Sequence, residues 1–484
     1  MYNAFARGVK LEIRAAMLSR APKGASGRLR HDSREAKIGN RGDYLAGIPT
    51  NARSGLLSIM SFVRALGRIA LAGFAVLSCF RAEIASAQII VHSDVILHSF
   101  AGGASDGNNP QAGLIQASDG NLYGTTVQGG SSGLGTVYEL SKDSSGNFTV
   151  LTLLHTFTGG VTDGQSPQIG RLLQASDGNL YGTTLYGGST NCPSGCGTVY
   201  ELSKDSNGNF IVFTLLRVFS GGAGDGASPY AGLIQAIDGN LYGTTTAGGG
   251  INFGTVYELS KDSDGNFTVF TLLRSFTSST SDGNSPFAGL IQASDDNLYG
   301  VTYGGGSAHA GTAFELSKDS NGNFTVFTLL YSFSVGATDG GLPYAALIQA
   351  SDGNLYGTTT QGGLSNFGVA FELSKDSSGN FTTFTVIHSF NLASPSTDGG
   401  LPYGGLIQAS DGNLYGTTYY GGSSLNSGTA YKLSKDTSGN FTTFNILTPF
   451  VGGADAANPY AGLLEASDGT STGQPPKAAA RMRA

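Results

Sequence analysis

The sequence predicts an all-β fold, a β-propeller of four-stranded antiparallel blades, and three observations predict it. The first is a tandem repeat. Ser118-Asp119-Gly120-Asn121-Leu122-Tyr123-Gly124-Thr125-Thr126 returns nearly unchanged at 176–184, 352–359 and 411–418, with variants from Asp238 and Asp295. A last copy starts at Asp468 and stops matching after Gly469, so six repeats are complete and a seventh is incomplete. Steps between motif aspartates are 58, 61, 57, 57, 59 and 57 residues, a period of about 58 that marks propellers, solenoids or arrays. The second is composition: 75 glycines in 484 residues, no tryptophan and 13% charged residues suit short strands joined by tight turns. The third is the order of strand-like runs within one unit.

In the first copy, 112–117 is an apolar run between Pro110 and the turn Ser118-Asp119-Gly120-Asn121, and reads as a strand entering a tight hairpin. Residues 122–127 pair back. Gly129-Gly130 opens a looser loop, and 136–140 is a third strand. Residues 142–147 are turn chemistry again, with Gly146 available for positive φ. Residues 148–157, rich in β-branched and aromatic side chains, form the longest strand. The linker 158–168 carries Asp163-Gly164 and Pro167. The strands do not alternate cleanly between apolar and polar, as a sheet with one wet face would. Blades stacked face to face bury both surfaces and remove that alternation. A β-solenoid is the rival, but its coils are commonly shorter and seldom use turns as tight as Asp-Gly-Asn.

The first 87 residues hold 14 Lys or Arg against 5 Asp or Glu, which leaves the repeat region 13 basic and 29 acidic side chains of the totals of 27 and 34. An acidic repeat region argues against nucleic acid or an anionic membrane as partner. Residues 1–59 read as an unstructured extension, from an over-extended start site. Residues 60–87 read as a secretory signal: Arg64 and Arg68, the apolar run 69–80, then Ala85-Ser86-Ala87 as cleavage site. That run of twelve residues falls short of the ~20 that span a bilayer. Leu77-Ser78-Cys79 makes a poor lipobox. Cleavage after Ala87 leaves no span in the mature chain, a repeat domain over 88–469 and an irregular tail over 470–484. Cys192 and Cys196 then remain, in a four-residue insertion of the second repeat. In an exported protein two nearby thiols read as a loop-closing disulfide.

Leu-Ile-Gln-Ala-Ser-Asp-Gly-Asn-Leu-Tyr-Gly-Thr-Thr, followed by Gly-Gly and then Gly-Thr-Val-Tyr-Glu-Leu, resembles the Gloeo/Verruco (GloVer) repeat of bacterial exported choice-of-anchor proteins. The resemblance spans about residues 95–469. It implies export, repeated β structure and, in relatives, varied C-terminal sorting anchors, with no catalytic residues to carry over. The chain departs from that pattern in its tail, which is neither apolar enough for a membrane nor patterned like a sorting signal.

Chemistry has three places to reside. The linker aspartates Asp106, Asp163, Asp225, Asp282, Asp339, Asp398 and Asp455 lie four residues before Pro. On one propeller face they could form a carboxylate ring for Ca²⁺, although Asp before Gly is ordinary turn chemistry. Asp262-Ser263-Asp264-Gly265-Asn266 has the look of a Ca²⁺ loop but lacks its later glutamate, and reads as a hairpin turn. The aromatics Tyr230, Phe287, Tyr344, Tyr403 and Tyr460 after the linker proline, with Tyr186, Tyr303, Tyr419 and Tyr420 before the double glycines, could stack on sugars at the channel face or pack between blades. Glu139, Glu201, Glu258, Glu315 and Glu372 recur in the third strand, with Lys432 in the sixth copy. The histidines His92, His98, His155, His309 and His388 lack metal spacing, and there is no nucleophile elbow or phosphate loop. The repeat-breaking residues are the Cys192 to Cys196 loop, Arg171 and His309. The reading is a secreted, non-catalytic repeat protein without cofactor, acting as a binding or cell-envelope interaction module for polysaccharide or an envelope protein. The alternative is a carbohydrate-active propeller enzyme, a polysaccharide lyase or glycoside hydrolase using acidic residues on the channel face.

Overall fold

The computed structural model describes residues 96–392, 398–422, 426–452, 457–466 and 481–483. They form a β-propeller of six blades, each a four-stranded antiparallel sheet whose strands follow chain order. In the first blade the strands are Ile115–Gln116, Leu122–Thr126, Thr136–Lys142 and Phe148–Thr156. Fourth strands of successive blades lie side by side, from Phe148–Thr156 next to Phe210–Val218 round to Phe381–Ser389 next to Phe441–Pro449. The segment 60–87 expected to be a leader, with its Cys79, and the extension expected before it lie outside the described residues.

The first strand is shorter than the sequence suggests: of 112–117 only Ile115 and Gln116 pair with the second strand. The preceding residues run along the neighbouring repeat instead. A Cβ on Gly170 would meet Ala231 and Gly232 of the next copy, and one on Gly462 would meet Gly405. A second departure is a two-residue ribbon in each of the first five copies, such as Gly107–Asn108 paired with Gln128–Gly129. It ties the linker to the loop after the second strand.

The repeated motif is a set of matched contacts. Asp119 accepts hydrogen bonds from the Asn121 backbone and the Tyr123 hydroxyl, at 3.0 and 2.6 Å. The Asn121 amide donates to Glu139 on the third strand at 2.6 Å. Gly124 leaves room for the ring of Tyr138, whose hydroxyl would stand 2.4 Å from an added Cβ. In the fourth and fifth blades that ring is Phe314 or Phe371, so the site needs the ring and not the hydroxyl. The second Thr of the motif, Thr126, shares a 2.8 Å hydrogen bond with Thr136.

Blades are joined by the motif tyrosine. The Tyr123 ring meets Phe210 of the next blade edge to face at 5.4 Å, and Tyr181–Phe267, Tyr242–Phe324, Tyr299–Phe381 and Tyr356–Phe441 repeat the contact at 5.3–5.5 Å. A polar tie runs alongside it: the Ser118 backbone N–H donates to Gln174 at 2.7 Å, and the same bond links each blade to the next as far as Ser351 and Gln408.

The seventh position is half filled. Ile96–Ser99 lies beside the fourth strand of the first blade, and Leu97 and Phe100 join Leu464 and Ala466 in packing on Leu114, Leu122, Tyr138 and Leu140 of that blade. Glu465 accepts from the Ser410 backbone and hydroxyl at 2.9 and 2.8 Å. The incomplete seventh copy thus supplies an inner segment and the N-terminal strand an outer one. Arg481–Arg483, within the stretch expected to be irregular, runs as a short strand parallel to Ile96–Ser99. Tyr415 and Phe148, which face this position, are only half-buried, whereas Tyr356 and Phe381 are buried. Accordingly, Phe381→Ala should cost about 3–5 kcal/mol, and Phe148→Ala markedly less, as read from denaturant midpoints of the two variants.

Candidate functional site

Asp106, Asp163, Asp225, Asp282 and Asp339 are each filled by donors of their own linker. Asp163 accepts from the Gly164 and Thr158 backbone N–H groups at 2.7 and 2.8 Å and from the Thr158 hydroxyl at 2.9 Å. Asp225, Asp282 and Asp339 repeat this with Ser220, Thr277 and Ser334. Asp106 accepts from Ala101 and Gly107.

A further partner, which the sequence reading missed, comes from the end of the fourth strand. It is His98 for Asp106, His155 for Asp163, Arg217 for Asp225, Arg274 for Asp282 and His388 for Asp398, at 2.9–3.2 Å. The eight-residue spacing from His98 to Asp106, repeated at His155, Arg217 and Arg274 and stretched to ten at His388, was the available signal. Three of the scattered histidines thereby have a structural partner. No group of three or more His, Cys, Asp or Glu able to hold a metal ion occurs among the described residues; Asp455 lies outside them. His309 takes the left-handed loop position that Asn252, Asn366 and Asn426 take in other copies.

Asp262 is the anchor of a hairpin turn. It accepts from the Thr268 hydroxyl at 2.5 Å and from the Asp264 and Asn266 backbones at 2.9 and 3.0 Å. These bonds, Thr268 foremost, hold its carboxyl below the usual range. The third-strand Glu139, Glu258, Glu315 and Glu372 shift upward, because burial disfavours their charge and the motif aspartate repels it. Lys432 in the sixth blade instead pairs with Asp411 at 3.1 Å.

The post-proline aromatics come together. Phe287 stacks on Tyr344 with centroids 5.3 Å apart, Tyr230 meets Phe287 edge on at 5.0 Å, and Tyr403 meets Tyr344 and Tyr460 at 5.0 and 5.1 Å. The Tyr344 hydroxyl donates to that of Tyr230 at 2.6 Å, between the fifth and third repeats. Tyr303 and Tyr419, just past the second strand, close on Phe287 and Tyr403 at 5.2 and 5.4 Å. Tyr186 and Tyr420 stand one residue further on: Tyr420 touches Tyr419, and Tyr186 is near enough to Tyr230 to raise its hydroxyl pKa. All nine rings are half-buried. Burial, then hydrogen bonding to Tyr460, pushes the Tyr419 hydroxyl up to about 12; burial likewise raises Tyr230, Tyr344 and Tyr403. In the first two copies the post-proline register holds Gln111 and Gln168 in place of a ring.

Below this tier the chain lines the channel with small residues. The residue before the buried leucine is Gly113, Gly232, Gly289, Ala346, Gly405 or Gly462, and in the second repeat alone it is Arg171. One extra residue after Pro167 makes room for it. Arg171 reaches over Gly113, and its guanidinium donates to the Leu114 carbonyl at 3.2 Å. The side chain is open to solvent, yet protein around it desolvates the charge and lowers its pKa.

Cys192 and Cys196 are joined, with Cα atoms 5.2 Å apart, beside Gly221 at the start of the following linker.

The Gloeobacter/Verrucomicrobia repeat model matches residues 88–292 and 266–478. The chain belongs to this repeat family. No curated protein sequence matches it. Among solved structures it is similar to a putative 6-phosphogluconolactonase from Bacteroides uniformis, at 14% identity over 67% of this chain and 80% of that one, TM-score 0.40. It is also similar to an ulvan lyase of a new polysaccharide lyase family, at 11% over 72% and 86%, TM-score 0.44. A third is PorZ, a surface component of the type-IX secretion system of Porphyromonas gingivalis, at 14% over 72% and 42%, TM-score 0.42. None of these likenesses bears on chemistry.

Chelator treatment should leave the melting curve of this GloVer-repeat protein unchanged, since donors already fill Asp106, Asp163, Asp225, Asp282 and Asp339; a drop in melting temperature would show a structural cation. Asp282→Ala should cost about 1–3 kcal/mol for each buried donor it strands, measured by equilibrium unfolding. Asp262 has a depressed folded pKa, so its stabilisation is complete above the unfolded value of about 3.9 and fades as pH falls through the folded one. Asp262→Asn should therefore melt lower than the parent at neutral pH, with a deficit that shrinks below about pH 4.

Proposed function

We propose that this protein is an exported, non-catalytic binding module whose channel mouth takes a carbohydrate. The observation that carries the reading is the aromatic wall: side chains from the third to the seventh repeat converge at one end of the channel and remain half-buried. Sugar rings present C–H faces that rest on aromatic faces, while their hydroxyls need amides and hydroxyls. Gln111, Gln168 and the tyrosine hydroxyls meet that need.

Two features support a non-catalytic role. The recurrent carboxylates are engaged in turns and clamps, and the motif Asp–Asn–Glu contacts recur from blade to blade as scaffold. Export is supported by the signal-like 60–87 segment and by the Cys192–Cys196 bond, which suits an oxidising compartment.

Screening the purified mature chain on a polysaccharide panel, with both binding and product release recorded, tests the proposal. Retention of a glycan without new reducing ends or unsaturated products is the expected result, and Tyr344→Ala should weaken it about tenfold, the scale of one lost aromatic contact. Product release would move the assignment to an enzyme. Binding untouched in a folded Tyr344→Ala protein would move the site off the mouth.

A further inference from the structure

Arg171 breaks a pattern that the other six copies keep. At its register the channel wall carries glycine or alanine, and the small side chains let neighbouring segments approach closely. Placing an arginine there took an extra residue after Pro167, and the change has a local cost. In the second, third and sixth repeats the first Thr of the Thr-Thr pair donates to a backbone carbonyl of the next repeat: Thr183 to Ala231, Thr244 to Ala288 and Thr417 to Ala461, at 2.8–2.9 Å. Thr125 faces the altered second repeat, and its hydroxyl is buried without a hydrogen-bond partner. The recurrent Thr-to-carbonyl bond is missing here, and the contact between these two repeats that involves the arginine is its single bond to the Leu114 carbonyl.

The partners of the other arginines sharpen the contrast. Arg217 and Arg274 are each paired with an aspartate at 2.9 Å. Arg171 has no ion pair among the described residues, and the carbonyl of Leu114 is the partner its guanidinium shows. A guanidinium has five donors in a planar fork that matches a carboxylate. Protein around it weakens screening and strengthens attraction to an anion, while solvent access from the channel lets one arrive. The same repeat carries Gln168 after its linker proline, where later repeats carry a ring.

We propose that Arg171 anchors an anion site in the channel, which takes the carboxylate of an acidic sugar through the guanidinium fork. The proposal deepens the carbohydrate reading and rests on it for the sugar, but not for the anion. It gives an acidic protein a selective preference for acidic ligands, through one cation set in a wall of glycines.

The test is a titration of the ¹⁵N-labelled mature protein, following arginine Nε–Hε resonances, with the Arg171 signal assigned from Arg171→Lys. Galacturonate and acetate should move that signal saturably, galactose should not, and the signals of Arg217 and Arg274 should stay in place. A signal that does not saturate with galacturonate or acetate, or equal movement of all three arginines, would overturn the anion site. With a panel glycan in hand, Arg171→Gln should lower affinity for its acidic form about tenfold or more, the scale of a lost charge-assisted hydrogen bond, and leave a neutral glycan unaffected. An unchanged ratio of acidic to neutral affinity in a folded Arg171→Gln protein sinks the anion site while the aromatic mouth stands. If no glycan binds but acetate still saturates Arg171, the sugar reading falls and the anion site stands.

Discussion

One edge-to-face contact, a motif tyrosine against the first phenylalanine of the next fourth strand, is what the ring depends on. It joins five pairs of successive blades with nearly constant geometry. The tyrosine is held from behind, since its hydroxyl donates to the motif aspartate of its own hairpin. A lysine ammonium also lies over the phenylalanine ring in the second to sixth blades. Turn, strand and blade interface are therefore one unit, and a change to the aspartate loosens the same contact as a change to the ring. In a repeat array stability is approximately the sum of such nearest-neighbour terms and the intrinsic stability of each repeat.

The interface between the sixth and first blades keeps only part of this. At its inner edge Thr417 still donates to Ala461 and Ser410 to Glu465. Further out, Lys432 rather than a phenylalanine sits over Tyr415, and Phe148 is half-buried. The half-filled seventh position is the place where the nearest-neighbour sum is smallest.

The propeller was legible in the sequence because every blade restates it: the period, the Asp-Gly-Asn turns and the run of four strands are local signals that add. The inner strand was over-read because residues 112–114 satisfy themselves against the next repeat, a long-range contact that periodicity does not carry. The linker clamp escaped notice for a similar reason. His98, Arg217 and Tyr331 share no chemistry as a class, so only their fixed distance from Asp106, Asp225 and Asp339 marks a common role. At the mouth the residues themselves were visible, but two explanations were open. Stacking and packing use the same side chains, and the structure shows these rings both in contact with one another and half-buried.

Identical blades build a symmetric scaffold; what individualises this chain is where the copies differ. Five copies carry a ring after the linker proline and two a glutamine, and one arginine stands at a register where the other copies have glycine or alanine. The account stands on the claim that this asymmetric mouth is the ligand site. A crystal structure of the mature protein with an oligosaccharide chosen from the panel tests it most directly. The account predicts a sugar ring against Tyr344 and Phe287, with its polar edge toward Gln168 and Arg171. A ligand seated instead on the opposite face, among the Asp-Gly-Asn turns, would contradict it.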